Sequence, residues 1–196
     1  GTDLGVELTS LALQVFGGMG YIEETGVAQH YRDARIAPIY EGTNGIQAMD
    51  LVGRKLPMRG GAAVADYLAA IDATVDDLAG AGDDLASIRS GLTDALASLR
   101  TATDWLLEHG LADPLDALAG ATPYLRLFST VTGGWVMAQQ ALAATRLLAD
   151  ATNADKAFYE GKVLTARFFC EQVLPQAGGL VPAVTASNRD LAAAVF

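Results

Sequence analysis

One carboxylate in this chain keeps unusual company. In "RIAPIYEGTNGIQ", Arg35 to Gln47, Glu41 stands between Tyr40 and Gly42, with Ile39 before them and Ile46 a turn beyond. Burial raises a carboxyl's pKa toward that of a useful base, while a following helix N-terminus pulls it down. The plainer reading is a favourable contact between an acid and a helix dipole. A second stretch, "QVFGGMGY", sets Gln14 before a cluster of glycines that includes Gly17 and Gly18. Glycines let a ligand approach the backbone, and a glutamine amide both donates and accepts hydrogen bonds. Taken alone, this stretch reads first as a helix stop followed by a tight turn. No strand precedes it, so it is not the nucleotide fingerprint of a parallel sheet.

Three short helices are expected to position these residues. Thr2 or Asp3 caps the first, which runs to about Phe16 with Leu4, Leu8, Leu11 and Val15 on one face. Thr25 caps the second, which ends near Arg32. Residues 34–42 are expected to be extended, because Pro38 disfavours helix at the residue before it. Thr43 then caps a third helix to about Leu56. Arg32 and Asp33 read as an ion pair bracing the base loop.

Pro57 to Gly61 has a breaker at each end and reads as a linker. Beyond it the pattern changes. Val64, Leu68, Ile71, Val75 and Leu78 recur at steps of four and three, and similar stripes cover 85–106, 124–142 and 159–173. Four long amphipathic segments with short connections predict an antiparallel helical bundle. Gly133-Gly134, inside the third stripe, predicts a close helix approach or a kink. The tail, 181–196, reads as one more short helix. The fold class is therefore all-α, divided as 1–56, a linker at 57–61, and a bundle at 62–196.

The chain of 196 residues has 51% hydrophobic content, enough for one good core or two small ones. Its formal charge of -10 is spread unevenly, with only -2 of it falling up to Arg59. Such an acidic second half repels phosphates and argues against nucleic acid as a partner. A single cysteine, Cys170, rules out an internal disulfide and fits a reducing, cytoplasmic compartment. No apolar run is long enough to span a bilayer. The two histidines, His30 and His109, lie far apart, so no metal site or histidine triad is expected. Cys170, Trp135 and Met137 read as core. The amphipathic pattern under way at Gly1 suggests a piece of something longer, cut just before a helix.

Taken together, "QVFGGMGY" and "YRDARIAPIYEGTNGIQ" resemble the C-terminal domain of acyl-CoA dehydrogenases, from about Leu4 to Leu56. The version "RDARIAPIYEGTNGIQAMDL", followed by a further helical region, is similar to the longer subfamily with an extra C-terminal domain. Enzymes acting on 3-methylmercaptopropionyl-CoA belong there. The bundle from Gly60 onward resembles that domain through size and pattern.

The resemblance implies an oxidoreductase that binds FAD and desaturates an acyl-CoA thioester. Glu41 would take the α-proton, and its backbone N–H would help stabilise the thioester oxygen. Gly42 would leave room for the thioester, and Tyr40 would line its pocket. Gln14, Gly17 and Gly18 would contact FAD bound mainly to a neighbouring subunit, which makes the protein a homo-oligomer. Thr43 and Gly45 would also approach the cofactor. Gly45 stands where many shorter members carry glutamine, so contact there falls to backbone N–H groups. The resemblance further implies an electron acceptor such as an electron-transfer flavoprotein. By itself the chain, with one wall of a flavin pocket, is expected to be inactive. Two rivals are a relative that binds DNA, against which the acidic charge speaks, and a bundle serving purely for assembly.

Overall fold

Small flexible-backbone breakers, rather than strands, punctuate this chain. The computed structural model describes residues 1–193, and among them there is no β-strand. The all-α class predicted from periodicity holds. Eleven helices follow in order among the described residues. They are α1 (Thr2–Phe16), α2 (Gly18–Tyr21), α3 (Val27–Arg35), α4 (Thr43–Asp50), α5 (Ala62–Ala79) and α6 (Ala86–Ala112). Then come α7 (Pro114–Ala119), α8 (Ala121–Leu148), α9 (Asn153–Phe168), α10 (Gln176–Val184) and α11 (Arg189–Ala192). The chain forms two compact units, Gly1–Gln47 and Ala48 onward.

The larger unit is organised around α6. Ile88, Leu92, Leu99 and Ala102 on this helix are fully buried, and α5, α7, α8 and α10 all pack against it. Helix α9 lies along α8. The four predicted stripes find one another, with Ile71 and Leu78 of α5, Tyr124, Leu127 and Val131 of α8, and Ala166 of α9 in one continuous core. Burying a large aliphatic side chain contributes about 1.5–3 kcal/mol, so this core dominates the unit's stability.

Polar groups inside the core are paired. The Trp135 indole N–H donates to the Thr74 hydroxyl at 2.7 Å. The Tyr67 hydroxyl meets that of Thr132 at 2.6 Å, and the Tyr124 hydroxyl meets that of Thr103 at 2.8 Å. Tyr67 also stacks on Phe128 with centroids 4.9 Å apart. Trp135 and Met137 are thus packing residues, as read from the sequence.

Gly133 and Gly134 mark close approach and not a kink, since α8 continues unbroken through them. A Cβ at Gly133 would sit 2.9 Å from the Phe169 ring, and one at Gly134 would sit 2.6 Å from Leu174. A comparable approach, here against backbone, occurs at Gly91 of α6, where a Cβ would lie 2.7 Å from the Cys170 carbonyl oxygen. That carbonyl belongs to a π-helical turn, Phe169–Val173, which extends α9. A similar turn, Leu51–Lys55, follows α4 and closes with the Leu56 N–H donating to Leu51 at 2.8 Å.

The tail departs from expectation. The sequence predicts a short helix within 181–196, but α10 begins earlier, at Gln176, with Ala177 and Val184 buried. It ends where Thr185 N–H returns to Val181, and the short α11 follows. Asn188 ties this tail back to α7, its side-chain amide donating to Asp113 at 3.0 Å and Asp116 at 2.7 Å. The last part of the predicted helix, 194–196, lies outside the described residues.

Two tests follow from this packing. In a helix interior, alanine outperforms glycine by roughly 1 kcal/mol. At Gly161, where an added Cβ meets nothing within 4 Å, Gly161→Ala should raise the urea midpoint accordingly. At Gly91 the backbone oxygen cannot retreat, so Gly91→Ala should lower it, overpacking costing about 1–3 kcal/mol. A rise in both would show that the α6 approach is not limiting. The second test concerns pH. Burial, with some help from the Glu171 charge, pushes the Cys170 thiol from 9.0 up to about 11. Between those values the unfolded chain releases a proton that the folded one keeps, so stability should fall as pH rises through that window. Urea unfolding across it should show a shallower fall in Cys170→Ala; an identical slope would sink the assignment.

Candidate functional site

The smaller unit, Gly1–Gln47, carries every residue singled out for chemistry. Helix α1 buries none of its side chains. The apolar face predicted for it is real but uncovered within the unit, with Leu8 62% and Val15 85% exposed. Packing inside the unit runs chiefly between α1 and α3.

Helix α3 is displaced from its predicted position. Thr25 does not cap it. Its hydroxyl donates instead to the Met19 carbonyl at 2.8 Å, and the helix starts after Gly26, whose φ of 75° a glycine adopts without strain. The predicted Arg32–Asp33 pair is also corrected. Arg32 makes a bidentate bridge to Glu23 at 2.8 and 2.9 Å, and Asp33 accepts from Gln29 at 2.6 Å. Adjacent residues on a helix point apart, whereas Glu23 precedes α3 and lies within reach.

Residues 34–42 turn rather than extend. Helix α3 continues to Arg35, Ala37 N–H donates to Ala34, and the N–H groups of Ile39 and Tyr40 both donate to Ile36. Pro38 removes one donor, but its neighbours close turns around it. Glu41, Gly42 and Thr43 then adopt left-handed backbone in succession, with φ of 54°, 85° and 74°. Two of these are not glycine, and each such residue costs roughly 1–2 kcal/mol. Thr43 consequently is not the predicted cap, which would need extended backbone. It is the first residue of α4, and its N–H donates to Tyr40.

Strain of this kind persists only where the surroundings impose it. The Gln47 amide donates to the Glu41 carbonyl at 3.2 Å. Asn44 N–H reaches the Pro38 carbonyl at 3.3 Å, and its side chain bridges to α1. There Asn44 Nδ2 donates to Asp3 at 2.7 Å, and the Thr2 hydroxyl donates to Asn44 Oδ1 at 3.0 Å. The bridge from Asn44 to Thr2 and Asp3 has no signal in the sequence, since it spans some forty residues of chain. Gly42 adopts its φ of 85° without strain, and a Cβ there would lie 3.2 Å from the Ile46 side chain, which would have to shift slightly.

The apolar enclosure expected around Glu41 is absent within this unit. Glu41 is exposed, as are Tyr40 at 57% and Ile46 at 50%. Beside the loop lies a cleft of about 540 Å³, bounded by Asp3 and Val6 of α1, by Arg35 and Ile39, and by Thr43 to Gly45. Thr43 and Gly45, at the start of α4, thus share a concave surface with Asp3 and Val6 of α1.

Gln14 sits exposed in the last turn of α1, its carbonyl accepting from Gly17 N–H at 3.1 Å. From Asp3 to Gln14 a helix rises about 16 Å, so the two motifs occupy opposite ends of α1. The glycines divide by role. A Cβ at Gly20 would collide with the Leu13 carbonyl at 2.4 Å, whereas at Gly17 and Gly18 it would meet nothing. Gly17 needs its φ of 62°, but nothing within the chain demands glycine at position 18. That openness suits a backbone approached from outside. No cluster of His, Cys, Asp or Glu suited to a metal occurs among the described residues, and no described helix is long and apolar enough to cross a membrane.

Comparison with known proteins bears on both parts. Residues 1–56 match the family model "Acyl-CoA dehydrogenase, C-terminal domain", and residues 67–194 match "Acetyl-CoA dehydrogenase C-terminal like". The chain is 44% identical over 173 residues to 3-methylmercaptopropionyl-CoA dehydrogenase of Ruegeria pomeroyi, covering 88% of this chain and 29% of that one. It is 34% identical over 170 residues to the broad-specificity linear acyl-CoA dehydrogenase FadE5 of Mycobacterium tuberculosis, covering 84% and 28%. Against a butyryl-CoA dehydrogenase of Syntrophomonas wolfei it is 34% identical over 196 residues, covering 95% and 31%. It therefore spans under a third of the length of these curated relatives. With a family model covering most of its length and the two motifs in place, the chain belongs to the acyl-CoA dehydrogenase family.

Proposed function

We propose that this chain supplies the catalytic base and one edge of the FAD site in an acyl-CoA dehydrogenase, with Glu41 as the base. The observation that carries this reading is the Glu41 loop. Glu41 opens a run of three residues with positive φ and is exposed, and among the described residues its N–H donates to no protein acceptor. An α-proton of a thioester is weakly acidic, and charge builds on the carbonyl oxygen as it leaves. One residue can then serve twice, the carboxylate taking the proton and the N–H facing the oxygen. Gly42, without a side chain, leaves space for the thioester, and Tyr40 lines the pocket. FAD, when bound, supplies the acceptor for the hydride from the β-carbon.

Gln14, Gly17 and Gly18 would hold the cofactor at the far end of α1, with Thr43 and Gly45 approaching it from the cleft. The open backbone at Gly17 and Gly18 supports this assignment. The exposed faces of α1 and of the Glu41 loop support a setting in which further parts of the dehydrogenase fold, and a second copy of the protein, cover them. Residues 1–56 and 62–196 would act as separate regions joined at 57–61, with Ala48, Val52 and Leu56 packed in the core of the second, which would extend the dehydrogenase core.

The base assignment is tested in the full-length holoenzyme. Glu41→Gln keeps shape and hydrogen-bonding reach but removes basicity. Flavin content should be unchanged while reduction by acyl-CoA slows by roughly 10²–10⁴. Near-native reduction would refute it. For the cofactor edge, Gly18→Val should lower flavin content after purification because it blocks backbone approach, and Gln14→Ala should do so more mildly. Full flavin occupancy in both would leave these residues purely structural.

A further inference from the structure

We infer that Asn44 is a positioning residue for the Glu41 loop, setting the base through a bridge to the first turn of α1. The inference rests on the reading of Glu41 as the base and adds the group that holds it. Both ends of the Asn44 amide are committed. The Asp3 carboxylate only accepts hydrogen bonds, so the amide must turn Nδ2 toward it, at 2.7 Å. This leaves Oδ1 to accept from the Thr2 hydroxyl at 3.0 Å. The backbone of the same residue closes the loop, its N–H donating to the Pro38 carbonyl at 3.3 Å. Glu41 lies inside the segment that this bond spans.

The left-handed run ends at Thr43, one residue before Asn44. Rotation anywhere in 41–43 would carry Asn44 away from its partners on α1, so those partners resist relaxation of the strained residues. Glu41 itself has no side-chain hydrogen bond among the described residues, so what the bridge can fix is the place of its Cα and N–H, from which the side chain starts. Misplacing a catalytic group by about 1 Å costs on the order of 10²-fold in rate, which gives the bridge a kinetic role beyond stability.

The test uses the full-length holoenzyme, with 3-methylmercaptopropionyl-CoA and butyryl-CoA as probes and single-turnover flavin reduction as the readout. Asn44→Asp replaces the donor facing Asp3 with a second carboxylate. Its rate of reduction per bound flavin at saturating substrate should fall roughly 10–100-fold, with substrate affinity and flavin content retained. The double variant Asp3→Asn/Asn44→Asp exchanges donor and acceptor and still offers Thr2 an acceptor. It should recover most of the rate. A native rate in Asn44→Asp would overturn the inference, even if its thermal midpoint fell. So would a flavin-replete double variant that reduces no faster than the single one. Glu41→Gln run in parallel separates the two ideas. Near-native reduction in that variant would remove the base and its positioning residue together. Loss there beside a native-rate Asn44→Asp would remove the positioning role alone.

Discussion

Burial of one continuous apolar stripe of α6 is the constraint from which the larger unit follows. A stripe carrying Ile88, Leu92, Ala95, Leu96, Leu99, Ala102 and Leu106 needs cover along the whole length of the helix, while the opposite face stays exposed. Helices α5, α8 and α10 supply it, and α9 is then added through α8. Such proximity is possible only where side chains are absent. Gly91 lets α6 meet the Cys170 carbonyl, and Gly133 and Gly134 admit Phe169 and Leu174 against α8. Glycine's usual cost in a helix is offset here by core contacts no larger residue would allow.

The smaller unit obeys the same rule with the opposite outcome. Its helices are amphipathic, yet α1 buries no side chain and large apolar groups stand in solvent from Leu4 to Ile46. What it does possess is local definition. Hydrogen bonds from Asn44, Gln47 and Thr2 hold a loop whose backbone would relax if left alone. A well-defined loop beside uncovered apolar surface suits a segment that forms one wall of a pocket. Ligand sites bury most of a ligand and draw on several walls.

Periodicity made much of the architecture legible. Helix-forming composition and stripes at three- and four-residue spacing report directly on which face of a helix is apolar; the α5, α6 and α8 stripes are largely buried as read, while that of α9 is buried at Ala166 and Cys170 and half-buried at Tyr159, Val163 and Val173. The motif residues were legible for a different reason, since Glu41, Gly42 and the glycines after Gln14 are contiguous in sequence. Local rules failed at Thr25, at Thr43 and across 34–42. In each case a hydroxyl or a proline had several permitted conformations, and contacts made elsewhere selected among them.

The sequence by itself determined the all-α class, the apolar stripes and the candidate base with its flanking glycine, because these depend on residue type and short spacing. Tertiary structure alone decided the left-handed run through Glu41, the turn in Arg32's favour toward Glu23, and the split between packing and open glycines in "GGMG". It also brought Asn44 to Asp3 and Thr2 across some forty residues. Such pairings carry no local signature. A hydrogen bond between distant segments exists only once helices have packed, and the direction of a strained loop is whatever that packing leaves available.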